Sequence, residues 1–424
     1  MSKGMLKSGL LHVLTIDPSG ILELITKPCS KENPMDQQQY TTLLEVLKHI
    51  PDPRKRQGRR HRFLTLLCLI VAALASAQRT PRAIARWVQE HREELFAVLP
   101  ASVSRLPCEA TLRRALALLD VTCLERALSA FAPACLPVEA APSAPEPAAP
   151  EATLQGAAID GKALRGVGRD GHPCHLVSLV RHADARVLNQ VAVALKRDER
   201  SAVPTLLAGR DLTDTVITLD ALHTLRSTAR QIRAQNGHYL MIVKKNQATL
   251  YEYLDMLFSL PAHPADRETW DRIGPTSEKG HGRLETRSLT CGAAHIEDVD
   301  WPDVQQVVRR DCERIVLKSG KYSREVSYGL VSMRPEEAGA ASIERLWRGH
   351  WTIENPIHHV RDVTFGEDTG HAAQGTTAHT LAALRNGLLT VFRSANWRSI
   401  PDALAHYGAS VARAFTLIGL EVKT

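Results

Sequence analysis

Apolar residues fall into two textures along the chain. Between residues 41 and 135 they recur at spacings of three and four, in LLEVLKHI, FLTLLCLIVAALA, PRAIARWVQEHREELFAVL and ATLRRALALLD. That period lays one apolar stripe along a helix. The segment therefore reads as all-helical, with Pro81 and Pro107 marking helix starts or breaks. From residue 154 the runs become short and continuous: LQGAAI, HLVSLV, VLNQVAVAL, DTVITL and HYLMIV. Runs of that length predict strands of a buried sheet. Helical stretches at 203–209 and 223–235 make the order a meander that ends as β-α-β. More strand-like segments lie within 283–333 (RSLTCGA, ERIVLKS, VSYGLVSM). Helices are expected again at 342–350, 357–364 and 376–393.

Between the textures lies LPVEAAPSAPEPAAPEA, where repeated prolines remove the amides that helix and strand need. The main boundary is placed there. The chain divides into a weakly patterned leader at 1–40 (with Met35 as an alternative start), a helical domain at 41–135 and a linker at 136–153. An α/β domain follows at 154–393, with a β-rich insertion at about 260–335, and then a tail at 394–424.

Composition narrows the function classes. The formal charge is +7, which favours a polyanionic partner. LTLLCLIVAALASA, residues 64–77, is too short for a membrane span and reads as a buried helix, so no membrane partner is expected. The N-terminus lacks a signal-peptide cleavage site. Eight cysteines without a C-x-x-C pair point to reduced thiols in a cytoplasm, not to a disulfide framework or a zinc module.

The candidate chemistry begins at AAIDGKALRGVGRDG, residues 157–171. Its G-x-G-x-x-G would need a following helix to cradle a pyrophosphate, and a strand, HLVSLV, follows instead. Arg169-Asp170-Gly171 reads as a hairpin turn. Asp160 ends the run LQGAAI, and Asp220 ends TVITL sixty positions later. Carboxylates at core-strand ends are expensive unless they bind a cation or hydrogen-bond donors. Mg²⁺ takes such hard oxygen ligands, although a turn-forming Asp160-Gly161 is the plainer alternative. A third acid, Glu354, lies in RGHWTIENPIHHVRDVTFGED, with His358 and Arg361 on its face if the segment is helical. Pro356 either starts a helix capped by Asn355 or kinks one.

Basic residues supply candidate phosphate contacts. Arg54, Lys55, Arg56, Arg59, Arg60 and Arg62 form the densest run. Lys162 and Arg165 follow Asp160. Lys244 and Lys245 precede Asn246, which reads as a helix cap or a DNA contact. Arg283 and Arg287 stand near the insertion, where the plainer reading is a hairpin with exposed charges. His350, Asn355 and Arg361 flank Glu354. The spacing of His350, His358 and His359 does not fit a zinc site. Trp347 and Trp351 read as core packing rather than base-stacking platforms.

IDGKALRG, TLDALHT, HYLMIVKKNQATL, HGRLETR and RGHWTIEN…DVTFGED, in that order, resemble the motifs of the ISAs-type, or H-repeat-associated, insertion-sequence transposases of the DDE superfamily. The resemblance runs from about Leu43 to about Arg393. It implies an α/β fold with an RNase H-like core, a mixed sheet flanked by helices, carrying a β-rich insertion and preceded by an all-α N-terminal domain. Asp160, Asp220 and Glu354 are implied as the catalytic and metal-binding triad for two Mg²⁺ ions, with Mn²⁺ as a substitute. The partner implied is double-stranded DNA, both transposon ends and target, with a homodimer on DNA as a candidate assembly and a bacterial cytoplasmic, nucleoid-associated location. The implied reaction is endonucleolytic cleavage at insertion-sequence ends and transfer of the freed 3′-OH into target DNA. Around Glu354, Trp347 and His350 stand where related groups place Tyr and Arg, and Arg361 preserves the charge of a Lys. A nuclease of the same core without strand transfer, or a non-catalytic DNA-binding relic, are the alternatives.

Overall fold

The computed structural model describes residues 39–132, 154–164, 174–259, 270–293, 296–369 and 376–422. Most of the leader, the proline-rich linker, Arg165 and the Arg169–Gly171 turn lie outside the described residues. The N-terminal segment is helical as its period predicts: α1 (Leu43–Lys48), α2 (Phe63–Ala75), α3 (Pro81–Glu90), α4 (Arg92–Val98), α5 (Glu109–Leu118) and α6 (Val121–Ser129). Pro81 occupies the first turn of α3, where its missing amide costs nothing, and Thr80 caps that helix. The apolar helix α2 buries eleven of its thirteen side chains inside the protein. Among the described residues no helix is long and apolar enough to cross a membrane.

One nine-stranded sheet organises the rest, in the order β3-β2-β1-β4-β5-β9-β8-β7-β6. Strands β1 (Gln155–Leu164), β2 (Cys174–Arg181) and β3 (Val187–Val193) form an antiparallel meander. β4 (Thr215–Leu219) and β5 (His238–Val243) run parallel to β1, joined by crossovers that include α7 (Glu199–Leu207) and α8 (Arg226–Ala234). After α9 (Ala248–Ser259), four antiparallel strands extend the same sheet: β6 (Asp271–Gly280), β7 (Arg283–Gly292), β8 (Gln306–Val316) and β9 (Tyr322–Val331). β6 is not predicted by the hydrophobic pattern.

Both faces of the central strands are covered, which is why they read as unbroken apolar runs. Ala157 and Ile159 face a core with α7 and α8, while Ala158 and Leu164 face a second core. That second core also contains α2, α5, α6 and the C-terminal helices. The helical segment and the sheet thus share one hydrophobic interior, although the linker separates them in sequence. Residues 394–424, expected to be a tail, carry two helices instead, α13 (Ile400–Gly408) and α14 (Val411–Ile418), whose Leu404, Phe415 and Ile418 are buried in this core.

The segment after β9 begins with α10 (Ala340–Gly349) and continues as a π-helical stretch, Ile353–His359, into α11 (Val360–Val363) and, further on, α12 (Thr377–Ser394). Pro356 neither starts nor ends the helix. It sits inside the π turn, whose wider spacing tolerates a residue without an amide hydrogen. Its carbonyl accepts from the Arg393 guanidinium of α12.

Candidate active site

The last paired residues of the parallel strands β1 and β4 are Ile159 and Leu219. Asp160 and Asp220 are the next residue on each, so the fold sets the two acids side by side at one edge of the sheet. Asp160 Oδ1 accepts from the Gly161 amide at 2.8 Å, and its Oδ2 stands 3.6 Å from His358 Nδ1. Asp220 Oδ1 accepts from the amides of Leu222 and His223 at 3.0 and 3.2 Å. The loop after Asp220 is clamped from below. Asn246 Nδ2 donates to the Ala221 carbonyl at 2.8 Å, and Gln247 Nε2 to the Thr224 carbonyl at 2.7 Å. The Asn246 amide therefore holds the aspartate loop. Glu354 enters on the exposed side of the π segment, whose Ile353 and Ile357 are buried.

These acids feel one another. Burial first, then the charges of Asp220, Glu354 and Glu199, push the Asp160 carboxyl up to about 7, against the opposing Gly161 amide. Glu354 is raised as well, by partial desolvation and then by Asp220, with Lys244 opposing. Two imidazoles line the same region. Burial drives His350 down to about 4 and His358 to about 3, so both are neutral. His350 Nδ1 and His182 Nε2 lie 3.0 and 3.1 Å from one hydroxyl, Thr218 Oγ1.

A cluster of carboxylates that raise one another's pKa is relieved by a proton or by a cation. Among the described residues no lysine or arginine is ion-paired with Asp160, Asp220 or Glu354. The donor set, three hard oxygen ligands with unused charge, fits a divalent cation. As they stand, no three described His, Cys, Asp or Glu side chains converge closely enough to hold one. Asp160 Oδ1 is held by the next amide of β1, and Asp220 Oδ1 by two amides of the loop that follows it.

The model of the transposase DDE domain matches residues 151–391, more than half of the chain, and a second model, described as DDE_Tnp_1-associated, matches residues 44–132. The chain belongs to the DDE transposase family. Its relatives include "Putative transposase YncI" of Escherichia coli O157:H7, 28% identical over 223 residues, covering 52% of this chain and 56% of that protein. "H repeat-associated putative transposase YhhI" of Escherichia coli K12 is 27% identical over 219 residues, covering 50% and 56%. The chain thus spans just over half the length of these curated relatives. Among solved structures, a cryo-EM structure of the piggyBac transposase synaptic complex with hairpin DNA aligns over 93% of this chain and 85% of that one, at 11% identity and a TM-score of 0.45.

In this member of the DDE transposase family, several side chains expected to contact DNA are committed elsewhere. Lys162 is buried and ion-paired with Asp362, with Asp368 at 3.8 Å. Arg361 is wholly buried against Glu367 and Gln190. Arg54 is buried and bidentate on Asp52, and Arg59 binds the same carboxylate. His350 is buried on Thr218, and Arg287 is buried between Glu278 and Glu285. Lys162, Arg361, Arg54 and Arg287 are corrected to structural roles, because a buried, paired cation is withheld from a phosphate, and the neutral His350 is likewise held inside, whereas Arg59 pairs with Asp52 but keeps its side chain 46% exposed. Lys55, Arg56, Arg60, Arg62, Lys244, Lys245 and Asn355 are exposed, as is Arg283, which pairs with Glu285. Trp347 is packed in the core, as its spacing suggests. Sequence reasoning missed Glu199, His182 and Thr218. No motif marks Glu199 or His182, which only the fold brings to this region, whereas Thr218 stands two residues before Asp220 in TVITLD.

Proposed function

We propose that this chain is a metal-dependent DNA transposase acting through Asp160, Asp220 and Glu354. The observation that carries the reading is the placement of Asp160 and Asp220 one residue beyond the parallel pair Ile159–Leu219, within electrostatic reach of Glu354. The order β3-β2-β1-β4-β5, with acids on β1 and just after β4, supports an RNase H-like core. The three carboxylates would hold two Mg²⁺ ions, with Mn²⁺ as substitute. When bound, such ions polarise the phosphate and make an attacking oxygen nucleophilic.

The chain's own residues supply position and charge. The amide clamps of Asn246 and Gln247 hold the Asp220 loop. Exposed Lys244, whose charge reaches Glu354, and Asn355 stand ready to orient the scissile phosphate. Exposed Lys55, Arg56, Arg60, Arg62, Lys245 and Arg283 are assigned to the phosphates of duplex DNA, at the element's ends and in the target. In strand transfer, a 3′ oxygen forms a bond to a target phosphorus, and the bond to that phosphate's own 3′ oxygen breaks. We assign the protein to the bacterial nucleoid, working as a homodimer on DNA.

The test is cleavage of labelled DNA bearing the element's ends, with Mg²⁺ or Mn²⁺. Asp160→Asn, Asp220→Asn and Glu354→Gln are each expected to lower cleavage by about 10³-fold or more while leaving the fold intact. Wild-type binding without cleavage, or variants as active as wild type, would overturn the proposal. Joined products separate transposition from simple nuclease action.

A further inference from the structure

Glu199 opens α7 and is only 3% exposed. Its carboxylate rests directly on Gly161. A Cβ at that glycine would stand 2.4 Å from Glu199 Cδ, 2.5 Å from Oε2 and 2.6 Å from Oε1. Only a residue without a side chain admits the carboxylate there, and Gly161 adjoins Asp160. Two imidazoles flank it: His175 Nδ1 is 3.3 Å from Oε1, and His223 Nε2 is 4.0 Å from Oε2. His223 belongs to the aspartate loop, its amide donating to Asp220 Oδ1. Glu199 therefore touches the residue next to Asp160 and lies 4.0 Å from the imidazole of a residue whose amide holds Asp220. Among the described residues no lysine or arginine is ion-paired with it, so a buried carboxylate is held where it is costly.

The sheet explains how it reaches the site. Successive residues of a strand face opposite sides, so Gly161 faces α7 while Asp160 faces the π segment. β4 pairs with β1 only as far as Leu219. Beyond that point β4 no longer screens one face from the other along this edge. Glu199 comes from the face of α7 and Glu354 from the opposite face, and both act on Asp160 at this edge.

We infer that Glu199 is a fourth carboxylate of the cation site, seated by Gly161, His175 and His223 opposite Glu354. The inference rests on the metal-dependent reading proposed above. The test is Mn²⁺ binding to the full chain without DNA, followed by electron paramagnetic resonance, with melting measured in chelator. Glu199→Gln is expected to weaken Mn²⁺ binding by about tenfold or more, with the metal-free melting temperature unchanged or raised, because one of several repelling acids has lost its charge. Glu199→Asp keeps the charge but withdraws the carboxylate by one methylene, and should also weaken binding. It serves as the reading if the Gln variant does not fold. Wild-type affinity in a folded Glu199 variant, with binding lost in Asp160→Asn, overturns the inference and leaves the metal site standing. Unchanged affinity with a lowered metal-free melting temperature would make Glu199 a brace for the strand. Wild-type affinity in Asp160→Asn as well would bring down the metal-site reading itself.

Discussion

The two ends of the nine-stranded sheet handle charge in opposite ways. Around β1 and β4, Asp160, Asp220, Glu354 and Glu199 crowd together, and no lysine or arginine is ion-paired with any of them among the described residues. On β6 to β9 nearly every arginine has a carboxylate: Arg287 with Glu278 and Glu285, Arg309 with Asp311, Arg310 with Glu344, and Arg324 with Asp311. Crowded carboxylates without a cation cost stability, and this is the spot to which the proposed chemistry is assigned. The charges of the paired region, buried in Arg287 and Arg310 and half-exposed in Arg324, are offset by their carboxylates and so are less costly. Counting charges would not separate the two regions. What separates them is whether each charge has met its opposite.

The comparison is sharpened most by a charge that is both buried and paired. Arg361 donates from Nε to Glu367 Oε2 at 2.9 Å and from Nη1 to Gln190 Oε1 at 3.1 Å. Gln190 in turn donates to Glu125 of α6, and Arg385 of α12 shares Glu367. The cluster ties the N-terminal helices, the sheet and the segment after Glu354 into one polar knot. Arg361→Ala leaves Glu367 buried with one cation fewer. It is expected to cost about 3–5 kcal/mol in urea unfolding, and a loss below about 1 kcal/mol would show that Arg385 alone satisfies Glu367.

The next effect comes from the unpaired end. The Asp160 carboxyl, ordinarily at 3.8, is pushed up to about 7. A folded-state value above the unfolded one gives stability that is complete below about pH 4 and lost as pH rises through 7. In chelator, the wild-type protein should therefore lose stability between those values. Asp160→Asn should not share that loss and should be the more stable variant at pH 8, by on the order of 2 kcal/mol. Melting temperature against pH for the two proteins measures it. Parallel curves would mean that neither burial nor the neighbouring acids raise the Asp160 carboxyl, and the contrast between the two regions would fail.

The same contrast governs what the sequence discloses. Asp160 and Asp220 stand out because each is a lone acid after a short apolar run, and a buried strand is legible from its own residues. Strand β6 is not. Asp271–Gly280 is almost wholly exposed and contains Gly274-Pro275, so it has no alternation to read. Its register comes from pairing with β7. Lys162 resembles a phosphate contact because its partner, Asp362, lies 200 positions away. Helices α13 and α14 do carry helical spacing in IPDALAHYG and VARAFTLI, so their omission was avoidable. Pro356 misleads for another reason. The rules for proline assume an α-helix, and the chain there adopts a π turn.

The smallest effect belongs to the paired end. Arg348, beside the sheet extension, makes two bonds to Glu278, at 2.9 and 3.0 Å, with both side chains about half exposed. Water and salt screen such a pair, and two long side chains lose freedom to form it. Glu278 also keeps Arg287, so truncating Arg348 leaves no carboxylate stranded. Arg348→Ala should move the melting temperature by less than about 1 °C, and less still in high salt. Thermal melts in low and high salt decide it. A loss comparable to that of Arg361→Ala would mean that the extension depends on its ion pairs as the core does, and that pairing alone does not distinguish the two ends of the sheet.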